Sequence, residues 1–312
     1  MRAAIVQAYG EAPSVGELAL PAPEDGQELV DVELAGLNPV DVWIASGTYH
    51  AGAPALPYVA GREGIGRTAK GERIYFDGPV PPSGALAERA VVSSSSLLPL
   101  PAGVDAGLAL ACGIAGLAAW LALEWRAELR PGEKVLVLGA SGTVGRIAVQ
   151  AARLLGAGRV VAAARDREAL AELARSGADA TVPLDAGGDL VAALRDACQG
   201  GPDVTVDPLW GAPAAAAIDA AAVEARHVQL GSSAGATAEI SSASVRGKRL
   251  RILGHLNAAA PPEVRAAAFT RMLGHAARGE IAVPVERVPL DRIAEAWERQ
   301  RTAPGVKLAI EP

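Results

Sequence analysis

Three glycines, Gly139, Gly142 and Gly145, stand between an apolar run and a helical pattern. The run is Val135-Leu136-Val137-Leu138, with Pro131-Gly132 before it and Gly139 after it. Its length and punctuation predict a buried strand. The pattern that follows repeats apolar residues at helical spacing, through Ile147, Ala148, Ala151, Ala152, Leu154 and Leu155. Strand, glycine turn and helix in that order suit a dinucleotide pyrophosphate. Gly139 allows the tight turn, Gly142 lets the backbone approach the phosphates, and Gly145 lets helix and strand pack closely. Ser141, Thr143 and Val144 complete the turn, and the helix start offers N–H groups and a positive dipole end to the anion. The competing reading is an ordinary glycine-rich turn; the flanking strand and helix favour the ligand.

A second apolar run, Arg159 to Ala164, follows the Gly156-Ala157-Gly158 stop and reads as the next parallel strand. About 20 residues past the glycines, an NAD site carries an acid for the ribose 2′-hydroxyl. Here the strand ends on Arg165-Asp166-Arg167. A guanidinium at that place forks onto a 2′-phosphate, which favours NADPH over NADH. The alternatives are that both arginines are solvated and that Asp166 holds a ribose.

The elements around these residues alternate. Strands are predicted at Val135–Leu138, Val160–Ala163, Ala180–Val182, Val204–Val206, His227–Leu230 and Leu250–Leu253. Helices are predicted between them, at Glu168–Ser176 and Asp189–Cys198 among others. This is the pattern of a doubly wound parallel sheet, an α/β Rossmann fold. Ligands of such sheets bind at the carboxyl ends of the strands. That places Gly231-Ser232-Ser233 and Asp207-Pro208-Leu209-Trp210-Gly211 beside the cofactor. Trp210 is read as a wall of the nicotinamide pocket or as a plain core aromatic.

The first hundred residues are strand-like (Ala3 to Gln7, Leu29 to Leu37, Arg73 to Phe76, Glu88 to Val92) between Pro/Gly turns. A helical pattern covers Leu108 to Trp125. Helices near Glu263–Arg278 and Leu290–Arg301 and a strand Lys307–Ile310 close the chain. A cofactor domain, 114–279, is thus expected inside a mostly β domain built from 1–113 and 280–312.

Composition narrows the function classes. The chain has 312 residues, half of them hydrophobic, and a formal charge of −6, which argues against a general nucleic-acid surface. No apolar stretch approaches the ~20 residues that cross a bilayer. Met1-Arg2-Ala3-Ala4-Ile5-Val6 reads directly as a strand, without a signal-peptide pattern. Cys112 and Cys198 are too few for a disulfide framework or a zinc lobe. A reduced, cytoplasmic protein is expected.

The chain resembles the medium-chain dehydrogenase/reductase superfamily in its zinc-independent quinone oxidoreductase branch. The resemblance rests on Ala35-Gly36-Leu37-Asn38-Pro39-Val40-Asp41, Ser46-Gly47-Thr48-Tyr49, Leu56 to Gly64, the Gly139–Gly145 turn, Pro289-Leu290 and Ala294-Glu295-Ala296. It implies a GroES-like substrate domain beside the cofactor domain. It also implies a homodimer, paired through the strand around Leu250–Leu253. Zinc-dependent members carry Cys at the position of Asn38 and Gly-His-Glu at Gly61-Arg62-Glu63. An amide and a permanent cation bind zinc poorly, so no metal is expected, and Cys112 is read as a buried core residue.

By the resemblance, Asn38 and Tyr49 lie near the nicotinamide. Asn38 would orient the cofactor or donate to the substrate oxygen, or would be a turn residue. Tyr49 would donate its phenolic proton, stack on a planar ring, or only pack. Arg62 is expected to ion-pair with Glu63 or Asp41, or else to bind an anionic substrate group, and His50 to be an exposed loop residue or a proton shuttle. Lys307 is assigned to a cofactor phosphate or to solvent. The segment Gly66 to Arg73 is shorter than is usual in the family by about eight to ten residues. Without a Lewis acid, the expected acceptor is a quinone or another conjugated carbonyl. The alternatives are an enoyl or 2-alkenal reductase in a biosynthetic pathway and a non-catalytic NADPH-binding protein.

Overall fold

The structure, a computed structural model, describes residues 1–49 and 51–312; His50 lies outside the described residues. The chain divides into two units, Met1–Ile114 with Ala282–Pro312, and Ala115–Ile281.

The first unit opens with β1 (Arg2–Val6), β2 (Ser14–Glu17), β3 (Gln27–Leu37), β4 (Tyr58–Val59), β5 (Glu63–Thr68), β6 (Arg73–Asp77), β7 (Arg89–Ser93) and β8 (Leu98–Pro99). β2, β1 and β4 form a small sheet. β3 is the spine of a larger one, pairing with both β5 and β7 and bending at a register shift between Val32 and Leu34. Its buried face joins Val30 and Leu37 to Phe76, Val92, Trp297 and Ile310 in one apolar cluster. A fully buried side chain of this size contributes about 1.5–3 kcal/mol. The segment from Gly66 to Arg73 contains a tight turn: Gly71 adopts φ +82, and Thr68 and Gly71 close it with hydrogen bonds to the Glu72 and Thr68 carbonyls. β5 and β6 are therefore joined directly as a hairpin.

The single helix expected over Leu108–Trp125 is broken. After α1 (Pro39–Ala45), the chain forms α2 (Ala106–Cys112) and α3 (Ile114–Leu121), followed by a π-helical turn, Ala122–Arg126. Gly113 separates α2 from α3 with φ −65 and ψ −124. A Cβ there would lie 2.3 Å from Glu63 Oε2 and 2.6 Å from the Tyr75 hydroxyl oxygen. The break lets two polar side chains reach the start of α3.

In the second unit, β9 (Lys134–Leu138), β10 (Arg159–Ala164), β11 (Ala180–Pro183), β12 (Val204–Asp207), β13 (Arg226–Gln229) and β14 (Arg251–Gly254) form a parallel sheet in the order β11-β10-β9-β12-β13-β14. All six sequence-predicted strands are present, with ends moved by a residue or so. Val135 to Leu138 are wholly buried, as strands covered on both faces must be. Flanking helices are α4 (Thr143–Leu154), α5 (Arg167–Arg175), α6 (Leu190–Ala197), α7 (Gly211–Ala220), α8 (Ser242–Gly247) and α9 (Pro262–Ala277). Strand order reverses between β9 and β12, the switch point at which such sheets bind ligands. The chain then returns to the first unit through β15 (Val285–Pro289), α10 (Ile293–Arg301) and β16 (Lys307–Glu311), and β16 pairs with β3.

Both cysteines are buried, and burial pushes each thiol up to about 12. Among the described residues, no single helix is long and apolar enough to cross a membrane.

Candidate functional site

In the second unit, the chain leaves β9 at Gly139 with φ +60. A Cβ on Gly145 would lie 2.4 Å from the Gly139 carbonyl oxygen and 2.5 Å from Ala140 Cα. That glycine is required by the protein's own packing. Gly142 is different. It is the N-cap of α4, and a Cβ on it would meet nothing closer than 3.6 Å. No described residue needs a glycine there: a Cβ would point into largely open space. Ser141, Gly142, Thr143 and Val144 are half-buried around the first turn of α4, where helical N–H groups lack intrahelical acceptors. Arg146 bridges the Ser141 carbonyl oxygen (3.0 Å) and Glu172 (2.9 Å), which steadies the turn.

At the end of β10, Arg165, Asp166 and Arg167 are all exposed. Asp166 Oδ1 accepts the Ala169 N–H at 3.0 Å and caps α5. That oxygen is engaged in starting a helix, which weakens the ribose-binding alternative. Arg167 lies 3.5 Å from Asp185, with both side chains exposed, a contact worth little in water. Arg165 makes no ion pair among the described residues, so its guanidinium is open to an anion. At the ends of the next strands, Gly231 is half-buried and accepts a hydrogen bond from Gln229 Nε2 at 2.8 Å, while Ser232 is exposed. Asp207, unremarked in the sequence beyond its turn, is wholly buried and faces His227 Nε2 at 2.8 Å.

The first unit holds a buried polar cluster. Glu63 Oε1 accepts from Lys307 Nζ (2.5 Å) and from Asn38 Nδ2 (2.9 Å). Glu63 Oε2 accepts from the Tyr75 hydroxyl (2.8 Å) and the Ile114 N–H (2.7 Å). Lys307 Nζ also donates to Asn38 Oδ1 at 2.7 Å. Gly36 makes room: a Cβ on it would lie 2.4 Å from Glu63 Oε1 and 2.8 Å from Lys307 Nζ. Beside the cluster, Asp41 Oδ2 accepts the Asn38 N–H at 2.8 Å, while Asp41 Oδ1 is buried without a partner. Burial pushes the Asp41 carboxyl up to about 7, against the lowering effects of the Asn38 N–H, Lys307 and Arg62.

This geometry corrects three expectations. Lys307 is neither at a phosphate nor in solvent. It is 2 % exposed, and a buried ammonium needs the carboxylate it has found. Arg62 makes no ion pair with Glu63 or Asp41 among the described residues; Glu63 is already saturated by Lys307, Asn38, Tyr75 and Ile114. Asn38 is 3 % exposed, and its amide is turned inward to Glu63, Lys307 and, at 3.4 Å, the Gly36 carbonyl. It organises the cluster and offers no outward donor. Tyr49 is half-buried and packs against the apolar cluster of its unit; His50 lies outside the described residues. Glu63, Tyr75 and Gly113 were missed as a group. Their one sequence signal was a Glu and a Lys, at 63 and 307, each followed by a run of glycine or apolar residues.

The donor set does not suit zinc. The Glu63 carboxylate is already held by an ammonium, and among the described residues no three His, Cys, Asp or Glu side chains converge as a metal site. The glycine turn, the α4 N-terminus and Arg165 do suit a phosphorylated dinucleotide.

A family model described as "Zinc-binding dehydrogenase" matches residues 143–272, all within the second unit. The chain is 39 % identical to the quinone oxidoreductase of Homo sapiens over 150 residues, spanning 45 % of either protein. It therefore spans less than half the length of that curated relative. It is 30 % identical to prostaglandin reductase-3 of Mus musculus over 230 residues, 68 % of this chain and 57 % of the relative. The solved quinone oxidoreductase of Thermus thermophilus, known also in complex with NADPH, matches over 100 % of both chains with a TM-score of 0.83 and 30 % identity. The chain belongs to the quinone oxidoreductase branch of the medium-chain dehydrogenase/reductase superfamily.

Proposed function

We propose that this protein is a zinc-independent, NADPH-dependent oxidoreductase that passes hydride to a quinone or another conjugated carbonyl. The observation that carries the cofactor choice is the end of β10: Arg165 is exposed and makes no ion pair among the described residues, while Asp166 caps α5. In this reading the Gly139–Gly145 turn holds the pyrophosphate. Arg165, with Arg167 behind it, takes the 2′-phosphate, and the backbone of Gly231 and Ser232 holds the carboxamide. NADPH, when bound, supplies the hydride. Tyr49 is the proton donor or ring-stacking residue. Conjugated acceptors take hydride without a Lewis acid, which agrees with a Glu63 carboxylate occupied by Lys307. The quinone oxidoreductase relatives support the same acceptor class.

The test follows NADPH oxidation by absorbance with a panel of quinones and 2-alkenals. Turnover that survives a chelator is expected, and loss of activity on chelation with recovery on adding zinc would sink the zinc-free reading. Arg165→Ala should weaken NADPH at least tenfold more than NADH; an equal loss for both refutes the 2′-phosphate assignment. NADPH binding with no turnover of any acceptor would make this a binding protein. The similarity to prostaglandin reductase-3 favours a second reading, reduction of an enone or 2-alkenal, which the same panel separates. A cytoplasmic location and a homodimer complete the proposal.

A further inference from the structure

Trp210 stands in a backbone conformation, φ 55 and ψ −158, that glycine adopts freely and that strains any residue with a Cβ. The fold shows what holds it there. Asp207 Oδ1 accepts the N–H of Leu209 at 2.8 Å and that of Trp210 at 2.9 Å. Asp207 Oδ2 accepts from His227 Nε2 at 2.8 Å. Asp207 and His227 are 0 % and 2 % exposed and sit on the neighbouring strands β12 and β13. The pair therefore ties the strained turn to the middle of the sheet.

The turn separates two sides. Leu209 lies over the glycine turn, 3.0 Å from where a Gly139 Cβ would be. Trp210, the next residue, lines an open hollow of about 400 Å³ with Gln229, Ser232 and Ile252. Its indole meets the His227 ring edge-on, 6.1 Å between centroids at 67°. The hollow thus has one aromatic wall, one aliphatic wall, and a hydroxyl and an amide between them. That lining suits a flat conjugated ring bearing a carbonyl oxygen. Its far wall is on β14, three strands from the phosphate cradle at β9, about 14 Å at ordinary strand spacing.

We infer that Trp210 selects the acceptor, and that Asp207 and His227 are positioning residues that hold its strained turn. The inference rests on the proposed reduction of a conjugated acceptor. The hollow takes the acceptor ring against the indole, and the Ser232 hydroxyl or the Gln229 amide meets its oxygen.

The test compares kcat/KM for a two-ring naphthoquinone and for a short 2-alkenal in the full-length protein with NADPH. Trp210→Ala should lower the naphthoquinone-to-alkenal ratio at least tenfold, through KM, with the NADPH dissociation constant unchanged. Trp210→Phe should keep the ratio. Trp210→Gly should lose the ratio yet melt at a higher temperature than Trp210→Ala, because glycine alone fits the backbone. His227→Leu should shift the ratio as Trp210→Ala does. His227→Gln, which can still donate to Asp207, should preserve it, a rescue that a merely structural histidine would not show. An unchanged ratio in Trp210→Ala overturns the inference. So does weakened NADPH binding with an unchanged ratio, which would place the nicotinamide against the indole. Absence of turnover in the unaltered protein overturns the functional reading and this inference with it, whereas turnover with an unchanged ratio in the variants overturns the inference alone.

Discussion

Two buried carboxyl groups on neighbouring elements meet opposite fates because their surroundings differ. Glu63 is wholly buried, yet both its oxygens are satisfied, and Lys307 supplies the opposite charge. Such a pair adds little net stability over an apolar one, but removing a single partner leaves a buried charge alone, at a cost of about 3–5 kcal/mol. Lys307→Met is therefore expected to lose that much in urea unfolding, and Lys307→Met with Glu63→Gln to regain a large part of it. A single variant as stable as the parent would show the pair to be dispensable. Asp41 has no such cation in contact, and burial raises its carboxyl from 3.8 to about 7. Below about pH 4 the group is protonated whether the chain is folded or not, and its contribution is fully present. As pH rises toward about 7, the unfolded chain releases a proton that the folded chain keeps, so stability falls and then levels off. Asp41→Asn should remove this part of the slope, a few kcal/mol at about 1.4 kcal/mol per pKa unit. Parallel pH–stability curves for parent and variant would refute it. Neither group's role was legible in the sequence. Lys307 and Glu63 are 244 positions apart, and no local pattern announces a contact between strands so distant.

Elements were read best where their residues interact locally. The strand–turn–helix from Lys134 to Leu154 is written in neighbouring residues, so spacing alone located it. The structure then gives the turn's glycines different surroundings, in line with the different roles their places in the turn suggest. Gly145→Ala would force a methyl against backbone at 2.4 Å, an overpacking cost of about 1–3 kcal/mol or more. Gly142→Ala meets only ordinary contact at 3.6 Å, so stability should change by less than about 1 kcal/mol. NADPH affinity should nevertheless fall at least tenfold, because the added methyl occupies the space left for phosphate. Thermal melts with and without NADPH check both, and a Gly142→Ala protein that binds NADPH normally would remove that residue from the site. The helix expected over Leu108–Trp125 failed for a contrasting reason. Gly113 sits in an Ala- and Leu-rich run where a glycine is usually tolerated. Its need to admit Glu63 and Tyr75 is set by β5 and β6, some forty to fifty residues earlier in the chain.

At the scale of the whole molecule, the two units carry different parts of the proposed chemistry, and what assembles around them depends on exposed edges. β14 is the last strand in the order of its sheet, and Arg251 and Ile252 on it are exposed. An unpaired edge of this kind invites another strand. The inward side is already used: Arg251 donates its N–H to the Ala225 carbonyl at 3.0 Å, and His255 donates to Gln229 at 3.0 Å. Backbone groups alternate along a strand, so the N–H of Ile252 points outward. Ile252→Pro would therefore delete an edge donor while leaving the bonds to β13 in place. If a second copy of the chain adds at this edge, the unaltered protein should scatter light as a dimer and the Ile252→Pro protein as a monomer with its melting profile retained. A parent that is monomeric at every accessible concentration rules the dimer out, and a variant that stays dimeric moves the interface elsewhere on the surface.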